Sequence, residues 1–396
     1  MRGGGLVAQR PHDANPPLVR CASWSLYELW TLTALFLVHL FAPEGRIDLL
    51  TDDTLLQWGG RKIEGAGVFR DAGRSGGKNT VFDRGLNLIP LTLRVRPPWG
   101  GEPLALPLAM RLYRKHAPTH LDLVARMVQG LVDLFPDRPF HLIADRAYAP
   151  LAGWKLPCTQ VTSRLRKDVA LYALPAPPRA GQVGRPRKKG GRLHSPEAWA
   201  RRTKQGWKRT WVDRRAKMAQ RLLQTRDALW YHVCPDQLVR VVGSRDPKGR
   251  EKGNVFFTTD LTLAPGAAVS HYFGRWPVEL LFREAKGVFL LDQVRTKNRY
   301  VAEALIWTRW LPLLVSRRLQ NVVREALPEE WRERLPSRRW AQAFVRVAGD
   351  LLNMTLARLG RQWVHPQPPA ELAVRLAARA LDPSISRERF GREWMT

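Results

Sequence analysis

Apolar and polar positions form blocks along the chain that predict a mixed α/β protein. The apolar run at 29–41 is shorter than the roughly 20 residues that a membrane span needs, so it predicts a buried helix. Apolar positions recur every three to four residues from Thr119 to Phe135, which predicts a second helix. Short apolar runs bounded by turn residues predict strands at 46–51, 86–95, 104–113 and 140–144.

Aspartates follow the first and the last of these strands. Asp52 and Asp53 end the first one, and Asp145 follows the last. Side chains just beyond strand ends are held by a rigid scaffold yet reach solvent, so we expect these carboxylates to meet in one site. Successive strand residues point to opposite sides, so only one of the pair is expected to face the site. Asp53, immediately before Thr54, is preferred, with Asp52 as the alternative.

The charge of the chain points to a polyanionic partner. Lys and Arg total 65 against 35 Asp and Glu, a net charge of +30, and residues 161–220 contain 17 basic residues against three acidic ones. Such an excess repels itself unless a polyanion offsets it, and nucleic acid is the commonest one. Strand signals then follow at 229–233, 238–242 and 254–259, so the region predicts a basic, β-rich insertion. Three widely separated cysteines exclude a disulfide framework and a paired-cysteine zinc site.

Two features of the insertion allow different interpretations. The run Gly184-Arg185-Pro186-Arg187 is either a hook for a narrow minor groove or a loop that contacts phosphates only. In both cases Arg185, Arg187 and Lys188 are candidate DNA-binding residues. Trp207 and Trp211, which stand among basic residues, either stack on unpaired bases or pack in the core.

A second group of candidate residues lies at 271–286. Pro277 suits a first helical turn, and it puts Glu279 in that turn, where the helix dipole favours a carboxylate. Arg283 and Lys286 follow on the same face of the predicted helix. Tyr272 and Arg275 would project from the preceding loop. Spacing alone is also compatible with an ordinary solvated helix face.

The spacing Tyr-x2-Arg-x3-Glu-x6-Lys, filled by Tyr272, Arg275, Glu279 and Lys286, resembles the signature of bacterial insertion-sequence transposases of the DDE type. Asp53 and Asp145 look like the first and second aspartates of that family, and the resemblance runs from about residue 24 to 318. It implies an α/β fold with a ribonuclease-H-like core, a β-rich insertion and a helical C-terminal region. The implied parts are an N-terminal helical segment (1–45), the core in two pieces (46–160 and 266–320), the insertion (161–265) and the C-terminal region (321–396).

The resemblance also implies the chemistry. Asp53, Asp145 and Glu279 would hold two Mg²⁺ ions, with Mn²⁺ as a substitute, because hard cations select carboxylate oxygens. Tyr272, Arg275, Arg283 and Lys286 would contact DNA. The expected activity is cleavage and strand transfer at the ends of an insertion sequence by an endonuclease and polynucleotidyl transferase. The rivals are a nuclease without strand transfer and an inactive DNA-binding remnant.

The expected partner is double-stranded DNA, both element ends and target, bound by a homodimer without a membrane. A bacterial, cytoplasmic, nucleoid-associated protein is expected. About 50 residues precede the first aspartate, fewer than the N-terminal region usual in the family. The sequence therefore leaves open a truncated or internally started reading frame.

Overall fold

The computed structural model describes residues 25–329, except for 59, 61, 72, 77–78, 97–102, 116–117, 178–184, 186, 203–204, 294–295 and 327–328. Most of the predicted C-terminal region and the first 24 residues lie outside the described residues. In the described part, the chain forms an 11-stranded sheet with helices packed against it. None of the described helices is both long and apolar enough to cross a membrane.

The elements follow the chain in this order. The first half contains α1 (Leu26–Phe41), β1 (Ile47–Thr51), β2 (Thr54–Leu56), β3 (Gly67–Arg70), β4 (Phe82–Val95), β5 (Leu104–Tyr113), α2 (His120–Leu134), β6 (Phe140–Ala144) and β7 (Thr159–Arg164). The second half contains α3 (Pro196–Arg202), β8 (Lys208–Arg214), β9 (Lys217–Leu229), β10 (Leu238–Arg245), β11 (Asn254–Thr258), α4 (Pro265–Phe273), α5 (Pro277–Gly287) and α6 (Arg299–Ala326).

Five strands form the centre of the sheet in the order β5-β4-β1-β6-β7. β4 is antiparallel to both β5 and β1, whereas β1, β6 and β7 are parallel to one another. Parallel neighbours such as β1 and β6 need a crossover connection. α2 is part of it, because it follows β5 and leads the chain back past β4 and β1 to β6. Thr119 and Asp122 form a capping box at the start of α2, as the position of Thr119 predicted. The strands and the helix predicted between residues 46 and 144 are thus confirmed.

β1 and β2 behave as one strand with a break. Both pair antiparallel with β4, β1 through residues 91–93 and β2 through residues 86–88. The break between them contains only Asp52 and Asp53. Pairing therefore stops where the chain carries two adjacent carboxylates and resumes immediately afterwards.

The basic, β-rich region extends the central sheet instead of forming a separate one. β11 pairs antiparallel with β7, and β10, β9 and β8 follow outward in that order. The predicted boundary at residue 160 falls inside β7. The strands at 238–242 and 254–259 are confirmed with small shifts, but the strand predicted at 229–233 is wrong, because β9 ends at Leu229 and a turn follows.

That error has a physical cause. Trp230 and Cys234 are buried on either side of a turn, where the Val233 and Cys234 amides both donate to the Trp230 carbonyl. The edge strand β8 and its neighbour β9 carry many charged residues on partly exposed faces, which hide the alternating pattern of a strand.

Candidate active site

The parallel register of β1 and β6 brings two of the predicted acids together. Thr51 pairs with Ala144, the last residue of each strand, so Asp52 and Asp145 leave the sheet side by side. The strands beneath them are almost entirely buried and rigidly packed. Backbone pairing therefore brings together two carboxylates that lie 93 residues apart in the chain.

Arg275 connects these strand ends to the helical region. Its guanidinium contacts the Asp52 carboxylate, and its Nη2 donates to Glu279 Oε1 at 2.9 Å. Pro277 lies in the first turn of α5, as predicted, and Glu279 follows in that turn. One cation, only 14% exposed, thus binds both the first-strand acid and the helix acid.

Tyr272 approaches the same patch from the end of α4. Its hydroxyl donates to Asp145 Oδ1 at 3.1 Å. Burial raises the pKa of Tyr272 to about 12, and the Asp145 charge adds to that effect. The phenol therefore stays neutral and acts as a donor. The sequence predicted Tyr272 and Arg275 as DNA contacts, and here both are bound to acids.

Asp53 has different partners from Asp52. It is exposed, and its Oδ2 accepts a hydrogen bond from Asn87 Nδ2 at 3.2 Å. Its backbone amide donates to Asp52 Oδ1 at 3.0 Å. Tyr148 also lies close enough to interact with the Asp53 carboxylate. Neutral donors hold Asp53, whereas a guanidinium holds Asp52.

We refer to Asp52, Asp53, Asp145 and Glu279 as the acid cluster. Burial raises the pKa of Asp52 to about 6, and the charges of Asp53 and Asp145 add to the rise, while Arg275 opposes it. Four carboxylates against one contacting guanidinium leave an excess of negative charge. Oxygen donors in excess of cations suit a hard divalent ion such as Mg²⁺, so the residue types match the group that the sequence predicted. No three of these four residues place a carboxylate oxygen each within 4.8 Å of one another, so the side chains would have to move to share one ion.

The other predicted DNA-binding residues lie beside the acid cluster or in the basic insertion. Lys286 Nζ donates to the Leu55 carbonyl at 2.7 Å, which ties α5 to β2 next to the acid cluster. The side chain of Arg283 is exposed, as are three candidate residues of the basic insertion: Arg185, Arg187 and Lys188. Gly184 and Pro186 of the predicted hook lie outside the described residues. Trp207 lies under the Arg245 guanidinium, at 4.1 Å from it, whereas Trp211 is 61% exposed.

A second polar group lies four residues deeper on the same two strands, and the sequence did not predict it. Asp48 on β1 pairs in register with His141 on β6, and His271 on α4 closes the group. Among the described residues, these three form the one His/Cys/Asp/Glu group whose ligand atoms all lie within 4.8 Å of one another. The available signal was the four-residue spacing from Asp48 to Asp52 and from His141 to Asp145, which puts each pair on one side of its strand.

We refer to Asp48, His141 and His271 as the deep group, and cations already neutralise its carboxylate. Arg46 and Arg94 donate to the two Asp48 oxygens at 3.0 and 3.1 Å. Arg46 Nη2 also lies 3.2 Å from His271 Nε2, and because a guanidinium can only donate, that nitrogen is the acceptor. His271 Nδ1 then carries the proton and faces Asp48. These contacts make the group a buried ion network and leave no free carboxylate for a metal.

Comparison with protein families agrees with this geometry. Residues 115–314, just over half of the chain, match the family model described as Transposase DDE domain. The matched segment includes Asp145, Tyr272, Arg275 and Glu279, and it begins after the Asp52–Asp53 pair. No curated protein matches the chain. The chain belongs to the Transposase DDE domain family.

Proposed function

We propose that the protein is a bacterial insertion-sequence transposase with a Tyr-Arg-Glu-Lys signature. It cuts DNA at the ends of its element and joins the ends to a target, in a cut-and-paste reaction. One observation carries the proposal: acids from β1, β6 and α5, far apart in sequence, converge with Arg275 and Tyr272 of the signature. The membership in the DDE transposase family supports the same reaction class.

The fold we propose for the catalytic part is ribonuclease-H-like. The support is the strand order β5-β4-β1-β6-β7, with an antiparallel meander followed by two parallel strands. The proposed domains keep the sequence-based ranges, with the first core piece extended to Arg164 because β7 pairs with β6. The insertion then begins after β7 and returns to it through β11.

In the reaction, Asp145, Glu279 and one of the acidic pair would hold Mg²⁺, or Mn²⁺ in its place. When bound there, such ions would supply activation of the attacking hydroxyl and stabilisation of the leaving oxygen. The contacts favour Asp52 over the sequence-predicted Asp53 as the first carboxylate. Asp52 leaves its strand beside Asp145 and shares Arg275 with Glu279, whereas Asp53 is bound to the neighbouring Asn87.

The cations and phenol of the signature have positions that suit DNA. Arg275 holds the acids in the absence of substrate, and a phosphate could replace one carboxylate as its partner, since guanidinium binds both groups in the same geometry. Tyr272 keeps Asp145 in place through its hydroxyl. The backbone of double-stranded DNA would be bound by Arg283 and Lys286 of α5 and by three residues of the insertion, Arg185, Arg187 and Lys188. A homodimer on paired ends in the bacterial cytoplasm, at the nucleoid, completes the proposal.

The test uses a labelled element end and a target plasmid with Mg²⁺ or Ca²⁺. Joined product with Mg²⁺ supports a transposase, and cut product alone indicates a nuclease. A gel shift of the labelled DNA without any cut product indicates an inactive DNA-binding protein. Asp145→Asn is expected to lower cleavage at least about 100-fold and leave DNA binding intact, because metal ions supply several kcal/mol to such reactions.

Control variants separate a loss of catalysis at the acid cluster from a general effect of removing an aspartate. Asp133→Asn removes an exposed aspartate of α2 that accepts a hydrogen bond from Gln129, so it should cleave like the wild type. Asp52→Asn and Asp53→Asn are then compared at equal protein concentration. A loss confined to Asp53→Asn would return the role of first ligand to Asp53, and full cleavage by Asp145→Asn would overturn the assignment of the acid cluster.

A further inference from the structure

Tyr148 is a buried phenol at the acid cluster that the reaction described above does not use. It lies three residues after Asp145, in a turn where its backbone amide donates to the Asp145 carbonyl at 2.9 Å. Its side chain is 1% exposed, and its ring packs edge-on against His120 with the centroids 5.3 Å apart. The ring is therefore fixed in position by packing on one side and by the turn on the other.

The hydroxyl of Tyr148 is the unusual part. It is fully buried and has no well-formed hydrogen bond of its own, although the Asp53 carboxylate is close enough to interact with it. Leaving a buried hydroxyl unsatisfied costs about 1–3 kcal/mol, so such a group in a native site calls for an explanation. The explanation is that the hydroxyl gains a hydrogen-bond partner when the acid cluster binds a divalent cation and its carboxylates are reoriented.

The charges around Tyr148 allow it only one role. Burial raises the pKa of the phenol well above its ordinary value, and Asp53, Asp52 and Asp145 raise it further. The group thus remains neutral and can only donate to these carboxylates. A neutral donor orients a carboxylate without cancelling its charge, whereas Arg275 cancels the charge of the carboxylate that it binds.

We propose that Tyr148 is a positioning residue of the acid cluster, whose hydroxyl donates to the Asp53 carboxylate and holds the acidic pair for a divalent cation. Because the Asp53 amide donates to Asp52, an anchored Asp53 also fixes Asp52. Asn87 supplies the second neutral donor to Asp53. The inference rests on the proposed function, since it presumes that the acid cluster binds a divalent ion.

The experiment measures Mn²⁺ binding to the full chain without DNA by calorimetry, for the wild type and for Tyr148→Phe. The phenylalanine keeps the packed ring and removes only the hydroxyl. We expect about tenfold weaker Mn²⁺ binding, because partners of metal ligands typically contribute 10- to 100-fold to metal affinity. The thermal midpoint should not fall, because the metal-free chain loses no well-formed hydrogen bond, and DNA binding in EDTA should not change. Tyr231→Phe is the matched control, since Tyr231 lies in the insertion and uses its ring to hold Lys189.

A second pair of variants tests the route through Asp53. If Tyr148 acts through that carboxylate, Asp53→Asn and the double variant Asp53→Asn/Tyr148→Phe bind Mn²⁺ equally. Wild-type affinity in Tyr148→Phe, the same loss in Tyr231→Phe, or a full further loss in the double variant would overturn the inference and leave the proposed function standing. A wild-type chain that neither binds Mn²⁺ nor cleaves DNA would overturn both.

Discussion

The acid cluster and the deep group lie four residues apart on the same two strands, yet their charges are arranged in opposite ways. In the deep group, Arg46 and Arg94 both bind Asp48, and Arg46 also pairs with the adjacent Asp260 at 3.5 Å. His141 is buried and His271 is half-buried. In the acid cluster, one guanidinium binds two of four carboxylates, and neutral donors bind the other two. α4 covers both regions, with His271 against Asp48 and Tyr272 against Asp145.

This difference separates a structural use of charge from a functional one. A balanced buried network contributes to the attachment of α4, because removing any one partner would strand the others without a counter-charge. An unbalanced cluster at the strand ends costs stability through mutual repulsion unless cations arrive from outside. The pKa of Asp52 is raised first by burial, and the charges of Asp53 and Asp145 add to the rise.

The largest expected effects come from removing one carboxylate from each region. Asp48→Asn should lower the free energy of unfolding by about 3 kcal/mol, because it leaves the buried Arg94 guanidinium without its bonded anion and Arg46 with Asp260 alone. Asp52→Asn should change it by less than about 1 kcal/mol, since the lost pairing with Arg275 is offset by relief of repulsion. Urea denaturation measures both, and a cleavage assay should show the reverse order of damage. Equal destabilisation by the two variants would contradict the distinction.

The deep group also predicts how stability depends on pH. Burial lowers the pKa of His141 to about 3 and that of His271 to about 4, and nearby Arg46 adds to both shifts while Asp48 opposes them. As the pH falls below about 6.5, the unfolded chain therefore takes up protons that the folded chain does not, and stability falls until about pH 4. For His271 alone the change is about 3 kcal/mol at about 1.4 kcal/mol per pKa unit.

A variant isolates this contribution from that of other groups. Asp52 acts in the opposite sense, because its raised pKa makes the folded chain take up a proton between about 6 and its ordinary value near 3.8. His271→Gln should therefore be compared with the wild type by urea denaturation at pH 7 and at pH 4.5. The variant should lose less stability on acidification than the wild type, and parallel losses would show that His271 is not held neutral.

The smallest expected effect concerns Arg275, which competes with a divalent ion for the same carboxylates. Arg275→Gln should strengthen Mn²⁺ binding without DNA by about tenfold, equal to about 1.4 kcal/mol, and weaken binding of element ends. Lys155→Gln, which removes a cation from an exposed surface pair, is the control. Unchanged Mn²⁺ affinity in Arg275→Gln would mean that the guanidinium does not occupy the ion's position.

The sequence by itself determined four of the five central strands, β5, β4, β1 and β6, whereas β7 was not predicted. Apolar runs specify buried strands such as β1 and β6, and a helical period with a Thr119 cap specifies α2, because these signals depend on neighbours a few residues away. The turn containing Pro277 predicted the start of α5 for the same reason. The charged strands β8, at the edge, and β9, beside it, escaped prediction, since solvent accepts the polar residues on their exposed faces.

Only the tertiary structure decided which partners the charged side chains take. Arg275 and Asp52 are 223 residues apart, and Tyr272 and Asp145 are 127 apart, so the strand register and the packing of α4 and α5 bring them together. The same register separates Asp48, which two guanidiniums neutralise, from Asp52, which remains in an excess of negative charge. Local pattern cannot distinguish these aspartates, because the strength of an ion pair depends on distances and burial that exist only once the sheet has formed.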